Sequence, residues 1–331
     1  MNGTNKLRGF LFALVCLLLI AIVIYSGFRF LGATVFFEEE TDADSSYVSK
    51  TIERDGVKYF PKQDIETLLV IGVDVEGPME KITYAENNNM ADAIMLLIFD
   101  KGKEKVNVLS LNRDTMTKVP VRDDEGHVLG TAEMQLAVSY AYGDGMERSC
   151  ENTMKAVSML LNGNEPDHFV AMNMDAIAMI NDAVGGVTVD VVDNFSEVDP
   201  SIPYGRITLK GDQALTFIRA RKGVGSQLNV SRMERQRVYM KSFFNALKSK
   251  VAQGKASSFA VDLYEDLTPY MVTDCSVTVM STMMERYAAY DLGKLYIPEG
   301  ENRKGEQYME FYLDEEAFDE LVVKLLYAKK N

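Results

Sequence analysis

Thr67-Leu68-Leu69-Val70-Ile71-Gly72-Val73-Asp74 is almost unbroken in apolar residues and closes on a carboxylate. A strand with one wet face would alternate polar and apolar residues, so a run like this one suits a strand covered on both faces. Ala93 to Phe99 and Lys105 to Leu111 repeat the pattern, the last broken by Asn112-Arg113-Asp114-Thr115. Further extended runs, Phe169 to Met174, Val187 to Val192 and Leu295 to Pro298, are interleaved with segments of helical spacing. These are Glu133 to Tyr142, Ser149 to Leu161, Asp175 to Val184, Ser281 to Tyr290 and Asp314 to Leu326. Strands alternating with helices predict an α/β fold: a three-layer α-β-α domain with a central mixed β-sheet.

The rest of the organisation follows from composition. The chain has 331 residues, 47% of them hydrophobic and 25% charged, enough for a large core. Gly9 to Phe28 is an uncharged run of 20 residues, long enough to cross a bilayer of about 30 Å as a helix. Lys6 and Arg8 precede it, and Arg29 and an acidic series from Glu38 to Asp44 follow. The positive-inside rule then makes residues 1–8 a cytoplasmic N-terminus, 9–32 a single transmembrane anchor, 33–62 an extracellular tether with a small hairpin around Asp55-Gly56, and 63–331 the outer domain. Cys16 falls in the anchor, while Cys150 and Cys275 could pair outside the cell or stay as buried thiols.

A net charge of −14 argues against nucleic acid as a partner, because a phosphate polymer would be repelled except at local patches. One such patch is Arg206 to Arg237, RITLKGDQALTFIRARKGVGSQLNVSRMERQR. Asp212 to Arg219 reads as a short helix ended by Lys222-Gly223, which leaves Arg219 and Arg221 at its end. Ser231-x-x-Glu234 has the form of a capping box, so a second helix is expected from Arg232 to about Lys250. Arg232 and Gln236 then share a polar face near its positive end, where phosphate binds readily, and Met233, Met240, Phe244 and Leu247 form an apolar stripe. Strand ends supply the complement: Asp74, Asp92, Arg113 and Asp114. Two carboxylates on neighbouring strand ends can seat Mg²⁺, a hard cation that prefers oxygen and bridges to phosphate. His127 and His168 lack zinc spacing, no Ser sits in a nucleophile elbow, and Gly223-x-Gly225 follows no strand directly.

The motifs taken together resemble the LytR–CpsA–Psr family of Gram-positive envelope enzymes. LLVIGVD (68–74), LNRDT (111–115), AYG (141–143), GGVTVDV (185–191), LKGDQALTFIRARKG (209–223) and SRMERQ (231–236) occur in that order. The resemblance implies transfer of a glycopolymer, wall teichoic acid or capsular polysaccharide, from a polyprenyl-pyrophosphate carrier to peptidoglycan. It implies Mg²⁺ on Asp74 and Asp92, and pyrophosphate held by Arg113, Arg219, Arg221 and Arg232 with Gln236 as a hydrogen-bonding partner. Arg113, Asp92 and Asn229 would stand at the reacting centre. Three places depart from the family pattern: Met90 where an Arg is usual, Gln135 for a Lys, and Asn229 for an Asp. Asn cannot act as a base, so a weakened paralogue that binds the lipid or scaffolds envelope assembly, and a pyrophosphate hydrolase, stand beside the transferase.

Overall fold

β1 (Ile52–Arg54) and β2 (Val57–Pro61) form an antiparallel hairpin around Gly56, where a turn is expected from the sequence. The structure is a computed structural model. It describes residues 51–54, 56–220, 223–224, 228–254, 256–305 and 308–329, with the backbone alone at 228–230, 232 and 233. Among the described residues no helix is long and apolar enough to cross a membrane. The expected anchor at 9–32, like Arg221, lies outside them.

The chain continues through β3 (Ile65–Val73), β4 (Ala91–Asp100) and β5 (Lys105–Leu111), then a hairpin of β6 (Met116–Arg122) and β7 (Val128–Gln135). A 3-10 helix (Leu136–Tyr142) leads to α1 (Glu147–Leu160), β8 (His168–Met172), α2 (Met174–Ala183), β9 (Val187–Val191), β10 (Gly205–Leu209) and α3 (Asp212–Arg219). Then come α4 (Leu228–Ala252), α5 (Ala256–Leu267), β11 (Met271–Thr273), α6 (Val277–Tyr287) and β12 (Asp291–Tyr296). β13 (Gly300–Lys304), β14 (Met309–Leu313), α7 (Glu315–Leu326) and β15 (Tyr327–Lys329) complete it.

The central sheet has six strands in the order β11-β8-β3-β4-β5-β12. β3 runs parallel to β8 and antiparallel to β4, and β5 runs antiparallel to β4 but parallel to β12, so the sheet is mixed. Because successive side chains point to opposite faces, β3 feeds two cores. Leu69, Ile71 and Val73 join Cys150, Met154 and Val157 of α1 and Phe318 and Val322 of α7. Leu68 and Val70 join Ala176 of α2, Leu267 of α5 and Met283 and Tyr287 of α6. Helices on both faces make the three-layer α-β-α arrangement. A third core holds the β9–β10 hairpin against α3 and α4 through Val187, Val189, Leu209, Phe217, Tyr239 and Phe243.

Three local expectations are revised, and one open alternative is decided. Glu133 to Gln135 belong to strand β7, paired with β6 from Met116↔Gln135 to Lys118↔Glu133, and only Leu136–Tyr142 is helical. α4 begins at Leu228, so Ser231 lies inside the helix, and the Glu234 carboxylate turns forward to the Arg237 guanidinium at 2.6 Å. The stripe of α4 divides: Phe244 packs with α5 and α6, whereas Val238, Tyr239, Phe243 and Leu247 pack on the hairpin core. Cys150 and Cys275 are free and buried in the two cores on opposite faces of the sheet, which rules out a bridge between them.

Candidate anion site at the strand ends

β3, β4 and β5 alternate in direction, so the C-terminal end of β3, the N-terminal end of β4 and the C-terminal end of β5 share one edge of the sheet. That edge carries Asp74, Asp92 and Arg113. The β3–β4 register slips between Gly72↔Ala93 and Val73↔Ala91, leaving Asp92 as the extra residue of a β-bulge. A bulge re-aims the side chain it carries. Here the Asp92 carboxylate takes the Arg113 guanidinium in an ion pair, both side chains about one-third exposed or less.

Arg113 is held from several directions. Asn112 Oδ1 accepts from the amide of Asp114 at 3.1 Å, and the Arg113 carbonyl accepts from the amide of Ala137 in the 3-10 helix at 2.9 Å. Its Nε lies 3.5 Å from Asp114 Oδ1, and its NH2 donates to the Met90 thioether at 3.5 Å. Met90, the first departure from the family pattern, thus meets the arginine with a weak, uncharged acceptor. Gln135, at the end of β7, donates through Nε2 to Asp114 Oδ1 at 3.1 Å and to the carbonyl of Met309 at 2.8 Å.

Asp74 is met by a different element. α3 ends at Arg219, whose NH2 donates to Asp74 Oδ1 at 3.2 Å, with the two side chains 48% and 51% exposed. The structure therefore brings together Asp74, Asp92, Arg113 and Arg219 as two carboxylate–arginine pairs from four separate segments. Gln236 lies in α4 and donates its side-chain amide to the carbonyl of Ile218 at 3.2 Å, next to Arg219. Arg232 and Asn229 are placed on the first turns of α4 by their backbone. The two carboxylates are oxygen donors of the kind a hard divalent cation takes, on adjacent strand ends.

Two residues that hold the edge are not singled out by the sequence. Asn87 is buried, and its side-chain amide donates to the carbonyls of Tyr140 and Gly143 at 2.9 and 3.0 Å. It thereby ties the loop between Asp74 and β4 to the AYG turn. Gly143 is required there because a Cβ would meet the Ser149 amide nitrogen at 2.3 Å. The second is Arg235, only 4% exposed, whose Nε donates to the carbonyl of Phe217 at 2.8 Å. Its place in the helix could have revealed it, since Arg235, Tyr239 and Phe243 recur at i, i+4 and i+8 on the buried stripe.

Two other groups of metal-ligating side chains occur among the described residues, His168–Asp274–Cys275 and Asp123–Glu125–His127. In the first, the Asp274 carboxylate already takes His168 Nδ1 at 3.1 Å and the amide of Phe169 at 2.9 Å, and burial pushes the Cys275 thiol up to about 11. In the second, Asp123 Oδ1 accepts the amides of Glu125 and His127. The first ties the start of β8 to the residues after β11, the second is a turn closed on itself, and in both the carboxylate is already hydrogen-bonded.

Fold and site define a mixed α/β domain with paired carboxylates and arginines along one edge of its central sheet. The same architecture is found in TagT bound to LIIa-WTA, with a TM-score of 0.61 at 19% identity over 84% of this chain and 94% of that one. TagV of Bacillus subtilis gives a TM-score of 0.59 at 19% identity, covering 80% and 96% of the two chains. The chain belongs to the LytR_cpsA_psr family, whose model matches residues 33–325. A relative in Oceanobacillus iheyensis, named polyisoprenyl-teichoic acid–peptidoglycan teichoic acid transferase TagU, is 27% identical over 283 residues, 83% of this chain and 78% of its own.

Proposed function

We propose that this chain is a phosphotransferase that moves a glycopolymer, such as teichoic acid or capsular polysaccharide, from a polyprenyl-pyrophosphate carrier to peptidoglycan. The observation that carries this reading is the pair of arginines, Arg113 from the end of β5 and Arg219 from the end of α3, that meet the strand-end carboxylates from separate elements. A guanidinium forks around two oxygens at once, so two of them from separate elements can straddle a diphosphate. Arg221, two residues beyond Arg219 in sequence, and Arg232, on the first turns of α4, are the further cations the resemblance assigns to that grip. Gln236 borders it and keeps a second amide hydrogen for the substrate.

In this reading the sugar hydroxyl of peptidoglycan attacks the phosphorus that bears the glycan. The new P–O bond forms as the bridging P–O bond breaks, and polyprenyl phosphate leaves with the electron pair. The hydroxyl proton passes to solvent water, because the Asp92 carboxylate is engaged by Arg113. Positioning and charge neutralisation carry most of such a reaction. Mg²⁺, held by Asp74 and Asp92, would add to that neutralisation. The apolar run at 9–32 would anchor the chain, N-terminus in the cytoplasm, and put the domain outside, beside a lipid-borne substrate and peptidoglycan.

Met90 favours a second reading. It gives Arg113 a thioether in place of a second cation, a change that suits a slower enzyme or a lipid-binding relative. Full-length chain in detergent, incubated with a labelled polyprenyl-pyrophosphate oligosaccharide, peptidoglycan fragments and Mg²⁺, separates the outcomes. Label joined to peptidoglycan, and lost in Asp92→Ala and Arg219→Ala, is expected. Lipid that stays bound and unreacted would make the chain a carrier-binding protein, and free phosphorylated glycan would make it a hydrolase.

A further inference from the structure

The last carbonyls of a helix have no partner within it, and α3 ends where the site needs a fixed arginine. Its final internal bond runs from the amide of Ala220 to the carbonyl of Thr216 at 3.0 Å. The carbonyls beyond are taken by side chains of α4. Arg235 Nε donates to the carbonyl of Phe217 at 2.8 Å, Arg235 NH2 donates to the carbonyl of Ala220, and Gln236 Nε2 donates to the carbonyl of Ile218. The third arm of Arg235, NH1, pairs with the Asp193 carboxylate, and the guanidinium lies over the Phe195 ring at 5.5 Å from its centroid. Phe195 in turn stacks on Phe217 of α3 with ring centroids 5.7 Å apart.

We infer that Arg235 is a positioning residue for the anion site: it clamps the C-terminal turn of α3 and so sets where the Arg219 guanidinium stands. The inference deepens the proposed function and rests on it for the identity of the ligand. Arg219 has a half-exposed ion pair with Asp74, a kind of contact that contributes little to order by itself. Its aim must come from its backbone, and that backbone is bonded on both sides of residue 219 to one buried guanidinium. Phe217 and Ala220 bracket Arg219, so a clamp on both carbonyls fixes the turn that carries it. Among the described residues, the cations near the site divide into two kinds. Arg113 and Arg219 face solvent in part, whereas Arg235 is 4% exposed and cannot reach the ligand.

Arg235→Lys tests this. Lysine keeps the charge but has one nitrogen in place of the fork, so it can hold Asp193 or the carbonyls and not all three. Three full-length chains are compared: native, Arg235→Lys, and Val189→Ala, which trims the same core away from the clamp. Inorganic pyrophosphate affinity, amide hydrogen exchange over residues 214–220, and KM and kcat for the labelled lipid are measured on each. Arg235→Lys should weaken pyrophosphate on the order of tenfold, raise KM more than it lowers kcat, and speed exchange at Ala220. Val189→Ala should lower the melting temperature and leave the other readouts native. Native pyrophosphate affinity and native exchange in Arg235→Lys overturn the inference, as does an equal loss of affinity in Val189→Ala. If the native chain does not bind pyrophosphate, yet Arg235→Lys speeds exchange at Ala220, the proposed function fails and the clamp on α3 stands.

Discussion

Both ends of β3 collect charge, and they use it differently. At the N-terminal end, Glu66 Oε2 receives the Tyr287 hydroxyl at 2.5 Å, Lys101 Nζ at 3.2 Å and Arg286 NH1 at 3.3 Å. Burial alone would raise the Glu66 carboxyl, but the hydrogen bonds from Tyr287 and Lys101 and the nearby cations hold it below its usual range. Asp100 is treated alike: burial opposes its charge, while the side chain and amide of Lys103 keep its carboxyl low. At the C-terminal end, Asp74 and Asp92 each take one arginine, and their carboxylates are 51% and 26% exposed against 16% for Glu66. A closed knot stabilises the fold, and an open pair can exchange its partner for a ligand. Bonding capacity left over, more than the number of charges, separates a site from a staple.

The comparison is sharpest in the transfer assay. Arg219→Ala and Asp92→Ala should each cut turnover by about a hundredfold or more, the scale of losing one charge-stabilising group from a reacting centre, with melting temperatures near native. If either destabilises the fold as much as a change at Glu66 does, the distinction between the two ends collapses. Asn229→Asp, which restores the carboxylate of the family pattern, should raise turnover by about tenfold, part of what a positioned acid or base supplies. Unchanged turnover there would remove the case for a weakened paralogue.

Glu66→Gln should do the reverse. It removes a carboxylate hydrogen-bonded by Tyr287 and is expected to cost about 1–3 kcal/mol, a drop of a few degrees in melting temperature, while transfer stays native. Because the folded carboxyl is held below its unfolded value, its contribution is present above the unfolded pKa and lost as pH falls through the folded one. The gap between native and Glu66→Gln melting temperatures should therefore close below the ordinary carboxylate range. The smallest effect belongs to the cysteines. In a Cys16→Ser chain, Cys150 and Cys275 should resist a thiol reagent in the folded state, and a reducing agent should leave the melting temperature unchanged. Burial holds the Cys275 thiol at about 11 and pushes Cys150 higher still, so little thiolate forms near neutrality.

Much of the site was readable because its residues sit at ends that hydrophobic runs announce. Asp74, Asp92 and Arg113 follow or open buried strands, Lys105–Leu111 and Asp212–Arg219 begin and end where the patterns do, and an alternating sheet then brings the ends to one edge. The β6–β7 hairpin was harder. Glu133-Met134-Gln135-Leu136-Ala137 favours helix by propensity, and pairing with β6 overrides it for the first three residues. α5 opens on Ala256-Ser257-Ser258, which gives no strong apolar period, so its burial through Ala260 and Leu267 shows only in the packed structure. Arg235 lies within the cationic stretch 206–237 and the polar face read there takes in only Arg232 and Gln236, although its spacing with Tyr239 and Phe243 puts it on the stripe that faces inward.

β15 pairs with β2 from Tyr327↔Pro61 to Lys329↔Tyr59, and Lys62 Nζ donates to the carbonyls of Lys324 and Leu325 at 2.8 and 3.0 Å. The first and last described strands are thus zipped together beside the N-terminal end of β3. That strand spans nine residues, about 30 Å of extended chain, and the anion site lies at its other end. A handle attached on the β15 side would leave from the pole remote from Asp74, so the protein can be captured on a bead or sensor chip there with the arginine edge turned outward.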